Sequence, residues 1–199
     1  MAGTVRGTGE VTEAVVEAVA GIVQKTLAEI GKTTESAINL VVGAAQGSIR
    51  AVGNMVGITA QTAASSISQT VKAASDVAAS VGNAAKGAVI GIVRGTSEAG
   101  GETLVAISRT AAGAVREASA IGVDITAAAV GAVEGAIKVA KDTTLNVEEA
   151  ASSAATGAID AASNISESAG RRVRRAVEGT IQGVKVVAKT TVGISESKG

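Results

Sequence analysis

A 22-residue unit, two elevenfold steps long, repeats in unbroken register along almost the whole chain and constrains its fold more than any local motif. Units begin at Gly21, Gly43, Ser65, Gly87, Arg109, Gly131, Ser153 and Arg175. Six places into each stands a branched aliphatic: Leu27, Ile49, Val71, Val93, Val115, Ile137, Ile159 and Ile181. Two places before each aliphatic come Lys25, Gly47, Gln69, Gly91, Gly113, Gly135, Gly157 and Gly179. Every second unit matches more closely still, so that Gly87-Ala88-Val89-Ile90-Gly91, Gly131-Ala132-Val133-Glu134-Gly135 and Arg175-Ala176-Val177-Glu178-Gly179 nearly superimpose.

Eleven residues in three turns is about 3.67 per turn, close to the helical 3.6 and unlike the period of 2 that a strand keeps. The repeat therefore predicts an all-α chain. Because eight units follow one another at constant spacing, the expectation is a single helix over residues 10–195, roughly 280 Å long at ~1.5 Å per residue. Residues 1–9 and 196–199 are expected as flexible ends. A period slightly longer than the helical turn predicts straight or right-handed coiled-coil packing along the aliphatic stripe. The alternative is a long helical hairpin that turns near Gly100-Gly101.

Such a helix is a poor one in isolation. About twenty glycines lie within it, each costing roughly 0.8 to 1 kcal/mol relative to alanine. Close packing is the available compensation, because glycine and alanine let helix backbones approach and form dispersion and Cα–H···O contacts. The expected close-approach glycines are Gly43, Gly47, Gly87, Gly91, Gly113, Gly131, Gly135, Gly157 and Gly179, on the side opposite the aliphatic stripe. The charged residues share that side, with Arg94 and Glu98 or Lys138 and Asp142 spaced for i, i+4 pairing. A helix apolar around most of its circumference is normally buried on several sides, which predicts more than one neighbour.

Composition narrows the function classes. The chain has no Phe, Trp, Tyr, Pro, Cys or His, so its apolar content of Ala, Val and Ile fills a thin interior rather than a wide one. Without His and Cys it lacks the commonest general base, the most nucleophilic side chain and the usual zinc ligands. No catalytic constellation emerges among the Ser, Thr, Lys, Asp and Glu that remain, and no cofactor or metal is expected. Lys plus Arg equals Asp plus Glu at 18 each, so net charge does not point to nucleic acid. The amino-terminal residues carry no apolar segment of signal-peptide length, which leaves a cytoplasmic or membrane-associated expectation. Residues 51–71 carry no formal charge, but Asn54, Thr59, Gln61, Thr62, Ser65, Ser66, Ser68, Gln69 and Thr70 interrupt them as a membrane span.

Arg171, Arg172, Arg174 and Arg175 form the strongest charge run and are a candidate anion or acidic-partner patch. Their position also suits the helix dipole, with Glu10, Glu13 and Glu17 near the opposite end.

Segments such as Gln24-Lys25-Thr26-Leu27-Ala28-Glu29, Lys32-Thr33-Thr34-Glu35-Ser36-Ala37 and Ala136-Ile137-Lys138-Val139-Ala140-Lys141-Asp142-Thr143-Thr144 resemble the eleven-residue repeats of synucleins and perilipins. That resemblance implies a helix lying on a membrane or lipid droplet. The chain departs from those families in its higher aliphatic content and its lack of regular lysine-rich flanks. Two functions are therefore expected: a self-assembling structural scaffold or filament, in which the chain's partner is itself, or an interfacial lipid-binding protein.

Overall fold

The computed structural model describes residues 39, 42, 43, 46, 81–98 and 102–189, and the first four of these are helical. Five helices follow in the two longer stretches: α1 (Val81–Glu98), α2 (Thr103–Ala120), α3 (Ile125–Lys141), α4 (Val147–Ile165) and α5 (Glu167–Val177). A two-stranded antiparallel hairpin, β1 (Gly179–Ile181) and β2 (Val184–Val186), closes the described part.

The described residues are all-α apart from that hairpin, but they do not form the single helix expected over residues 10–195. Helices α1 to α4 begin at Val81, Thr103, Ile125 and Val147, each 22 residues after the last. One unit is thus one helix plus one turn. Constant spacing does not require continuity, because a turn of fixed length inside every unit preserves the register as well as an unbroken helix does. The Gly100-Gly101 pair lies outside the described residues, between the end of α1 at Glu98 and the start of α2 at Thr103. Helix α2 starts after the non-helical Glu102, and equivalent helix starts recur one and two units later. The expected flexible ends, residues 1–9 and 196–199, also lie outside the described residues.

Local chemistry bounds the helices from α2 onward. After α2, Gly122 adopts φ +74; its N–H donates to the Ser119 carbonyl at 3.2 Å, and the Val123 N–H donates to the Ala118 carbonyl at 2.9 Å. This is the Schellman arrangement, which satisfies carbonyls the helix would leave bare. Asp124 then caps α3 by accepting from the Thr126 N–H at 2.8 Å. Asn146 caps α4 through the Glu149 N–H at 2.9 Å, and Ser166 caps α5 through the Ala169 N–H at 3.1 Å while also closing α4. Small polar residues hold these places because their side-chain oxygens reach the first free N–H groups. In the hairpin, Gln182 (φ 49) and Gly183 (φ 80) make the two-residue turn with both φ values positive that matches strand twist.

The most extensive packing joins helices two units apart, α1 with α3 and α2 with α4. These pairs are parallel: Lys86 meets Glu134 and Arg94 meets Asp142, both 48 residues on. The turns between α2 and α3 and between α3 and α4 are only four and five residues long and join helices that pack together, so sequence neighbours run in opposite directions, giving two layers of parallel helices. Two units plus four residues means that each helix is advanced on its partner by roughly one turn. The core lies between the layers, where Val93, Val115 and Ile137 are fully buried and Ile159 nearly so, together with Val89, Ile92, Ile107, Val133 and many alanines. The architecture is a stack of helical units in which each contacts units one and two steps away.

If the turns rather than a continuous helix carry the register, insertions separate by place. One alanine inserted between Val133 and Glu134 rotates the rest of α3 by about 100° and takes Ile137 off the core, so cooperative urea unfolding is expected to be lost or strongly weakened. One glycine between the exposed Thr143 and Thr144 is expected to change unfolding free energy by less than about 1 kcal/mol. Equal effects at the two places would contradict the turn assignment.

Candidate packing and assembly site

Some of the residues expected on seams, four of the aliphatic row and six of the glycines, are buried within one chain. Of the aliphatic row, Leu27, Ile49 and Val71 lie outside the described residues; Val93, Val115, Ile137 and Ile159 are buried. Ile181 departs from the row because it sits half-buried in β1 rather than on a helix. Neighbours for the row come from adjacent helices of the same molecule.

The glycine face is a second packing face. A Cβ placed on Gly131 would collide with the Gly82 carbonyl of α1, and one on Gly135 would lie 2.6 Å from the Lys86 carbonyl. One unit later the contact repeats: a Cβ on Gly157 would collide with the Ser108 carbonyl of α2. Gly131 and its partner Gly82 correspond, one unit on, to Ser153 and Leu104, where the Ser153 hydroxyl donates to the Leu104 carbonyl at 2.8 Å. The seam is thus backbone against backbone, with a serine admitted where its hydroxyl can bond the facing carbonyl. Gly87, Gly91 and Gly113 are buried too. Gly47 lies outside the described residues, and Gly43 is exposed with nothing near its would-be Cβ. Gly179 is the clear departure, because it stands at φ +119 with open space around it and serves the start of the hairpin.

Charged residues mark the edge of the seams. Lys86 and Glu134 pair at 3.0 Å and are partly buried, and Arg94 pairs with Asp142 at 3.2 Å across α1 and α3. The pairing of Lys138 with Asp142 along α3 is present at 3.8 Å. Sequence reasoning missed the cross-helix pairs, although their 48-residue separation is two units plus one turn and was available from the repeat. Within the arginine run, Arg171 pairs with Glu167, and Arg174 pairs with Glu178 at 2.9 Å. Arg172 and Arg175 are exposed and make no ion pair among the described residues. The four arginines therefore do not converge on one point.

Two adjoining grooves run along the outer side of α4, about 330 Å³ and about 250 Å³. Between them passes the chain after β2, with the Lys189 N–H donating to Thr156 Oγ1 at 2.9 Å. Sequence reasoning gave no sign of these grooves, because the hairpin that frames them breaks the helical period. Among the described residues no cluster of His, Cys, Asp or Glu has the makings of a metal site, and no helix is long and apolar enough to cross a membrane.

No protein-family model, curated protein or solved structure matches the chain.

The seam decides the sign of glycine substitutions. At Gly131 the overpacking loss of about 1–3 kcal/mol or more exceeds the ~1 kcal/mol that alanine brings to a helix interior, so Gly131→Ala is expected to destabilise. At Gly43, where the space is open, Gly43→Ala is expected to stabilise by up to ~1 kcal/mol. Urea denaturation of the two variants checks this, and a stabilised Gly131→Ala would refute the close approach.

Proposed function

We propose that the chain is a structural protein, a self-assembling scaffold built from hendecad-patterned helices. The observation that carries the reading is the recurrence of one backbone-to-backbone seam, Gly135 on Lys86 and Gly157 on Ser108, in both layers at the spacing of the repeat. A contact that is renewed with every unit belongs to an architecture that grows by addition. Association of copies through further seams of the same kind extends that growth beyond one molecule.

Helix α3 supports the scaffold reading over a lipid-coating one. Its Ala128, Ala129, Ala132, Val133, Ala136, Ile137, Val139 and Ala140 are all buried, and they surround much more than one stripe of the helix. An interfacial helix presents one broad apolar face of large side chains to the acyl boundary. Alanine and glycine supply little area to such a face, but they suit helices that touch one another. The resemblance to synuclein and perilipin repeats then reflects a shared period of helix formation.

Full-length chain in lipid-free buffer is expected to be helical already, and its sedimentation mass is expected to rise with concentration. Vesicles of anionic phospholipid should leave its circular dichroism unchanged. A chain that remains monomeric at all concentrations and gains helix only with vesicles would replace this reading with interfacial lipid binding.

A further inference from the structure

Helix α2 carries a row of residues that α4 fills from two units on, and α4 carries the corresponding row on its own outer side. There Glu148, Ser152, Thr156, Ile159, Asp160 and Ser163 line the two grooves, and Glu148 and Ser152 hold the unit places of Leu104 and Ser108. Those two α2 residues are the ones whose carbonyls meet Ser153 and Gly157 of α4. The outer side of α4 is therefore a continuation of an interface already formed once within the molecule. A helix does not fill it among the described residues. Residues 184–189 cross it as an extended strap, held by the buried Val186 and Ala188 and by the bond from Lys189 to Thr156.

We infer that this trough receives a helix from a second copy of the chain, parallel to α4, and that residues 184–189 are a strap that competes with it. The inference rests on the scaffold reading above and names the surface through which copies would join. The trough's shape is set by the repeat, so its occupant is a helix with the repeat's own small-residue face. Charge identifies the unit. Arg94 and Asp142 face one another across α1 and α3; carried three units on, the place of Arg94 is Asp160. The facing place in the unit that begins at Gly21 is Lys32. The pair is reversed in sign and remains complementary. By the same register Lys86 and Glu134 become Ser152 and Gln24, which are both polar. Asp160 is exposed and makes no ion pair among the described residues, although Arg174 and Lys189 share its groove.

Sedimentation velocity of the full-length chain over a concentration series tests the inference. Asp160→Lys is expected to raise the concentration of half-assembly about tenfold, or ~1.4 kcal/mol, and adding Lys32→Glu to the same chain should restore it. Val186→Asp, which frees the strap, should lower that concentration about tenfold. Gly183→Val, which strains the hairpin turn at φ +80 without touching the trough, should act in the same direction. Circular dichroism confirms that each variant keeps its helices. If the wild-type chain gains mass and Asp160→Lys does so identically, or if Lys32→Glu gives no rescue, the trough assignment is overturned and the scaffold reading stands. If no chain gains mass, with the strap freed or not, the scaffold reading falls together with the trough.

Discussion

The close approach of helix backbones is the constraint on which the rest of this structure depends. Where Gly131 meets Gly82 and Gly157 meets Ser108, a single methyl group would occupy the space of a facing carbonyl oxygen. At that separation the attraction comes from many weak dispersion contacts and from Cα–H groups directed at carbonyls. A core built this way has little room, and it explains how a chain without one aromatic residue fills its interior. Val93, Val115, Ile137 and Ile159 supply bulk at one place per unit, other branched aliphatics such as Val89, Ile92, Ile107 and Val133 add to it, and alanine fills much of the remainder. The glycines that weaken each helix alone are the same ones that bring helices together.

Charge and hydroxyl groups then distinguish the two layers. On the α1–α3 seam the edge carries Lys86 with Glu134 and Arg94 with Asp142. The equivalent places on α2 and α4 are Ser108, Thr156, Arg116 and Asn164, and the seam there is fastened by Ser153 bonding to Leu104. Partly exposed ion pairs of this kind contribute modestly, about 1 kcal/mol or less. Their larger effect is on register, since a one-residue slip along the seam separates both pairs at once. This alternation accounts for the closer match of every second unit in the sequence: alternate units belong to the same layer and face the same neighbours.

Much of this was legible in the residues. The period predicted helices, the aliphatic place predicted the buried row from Val93 to Ile159, and the glycine places predicted a close-packed face. The turns were not read, for a physical reason. Asp124, Asn146 and Ser166 resemble any other polar residue on a helix flank until their side chains are seen capping free N–H groups. One clue was present: Gly100 and Gly122 occupy the same place in successive units, and Gly122 is the residue whose positive φ ends α2. Treating Gly100-Gly101 as a possible singular hairpin obscured its periodic counterpart. Thr144 holds that place one unit later, so composition alone does not mark every boundary. The outer trough of α4 was invisible for a further reason, because it exists only where the repeat stops.

The way the repeat stops shows how much depends on the helix that presents each glycine. Gly135, Gly157 and Gly179 share one unit place. In the first two the residue lies within a long helix and admits a partner's backbone; in the third the helix has already ended at Val177. Helix α5 has eleven residues, against seventeen in α3, and its outward side is crowded with arginines that favour solvent over another apolar layer. Released from helical geometry, Gly179 takes φ +119, a conformation unfavourable to residues with a side chain, and the chain turns into β1. A residue selected for the absence of a side chain thus serves close approach inside the stack and reversal of direction at its edge. The stack's extent is accordingly governed by helix length, since shortening the helix by one or two turns is enough to convert the contact place into a turn.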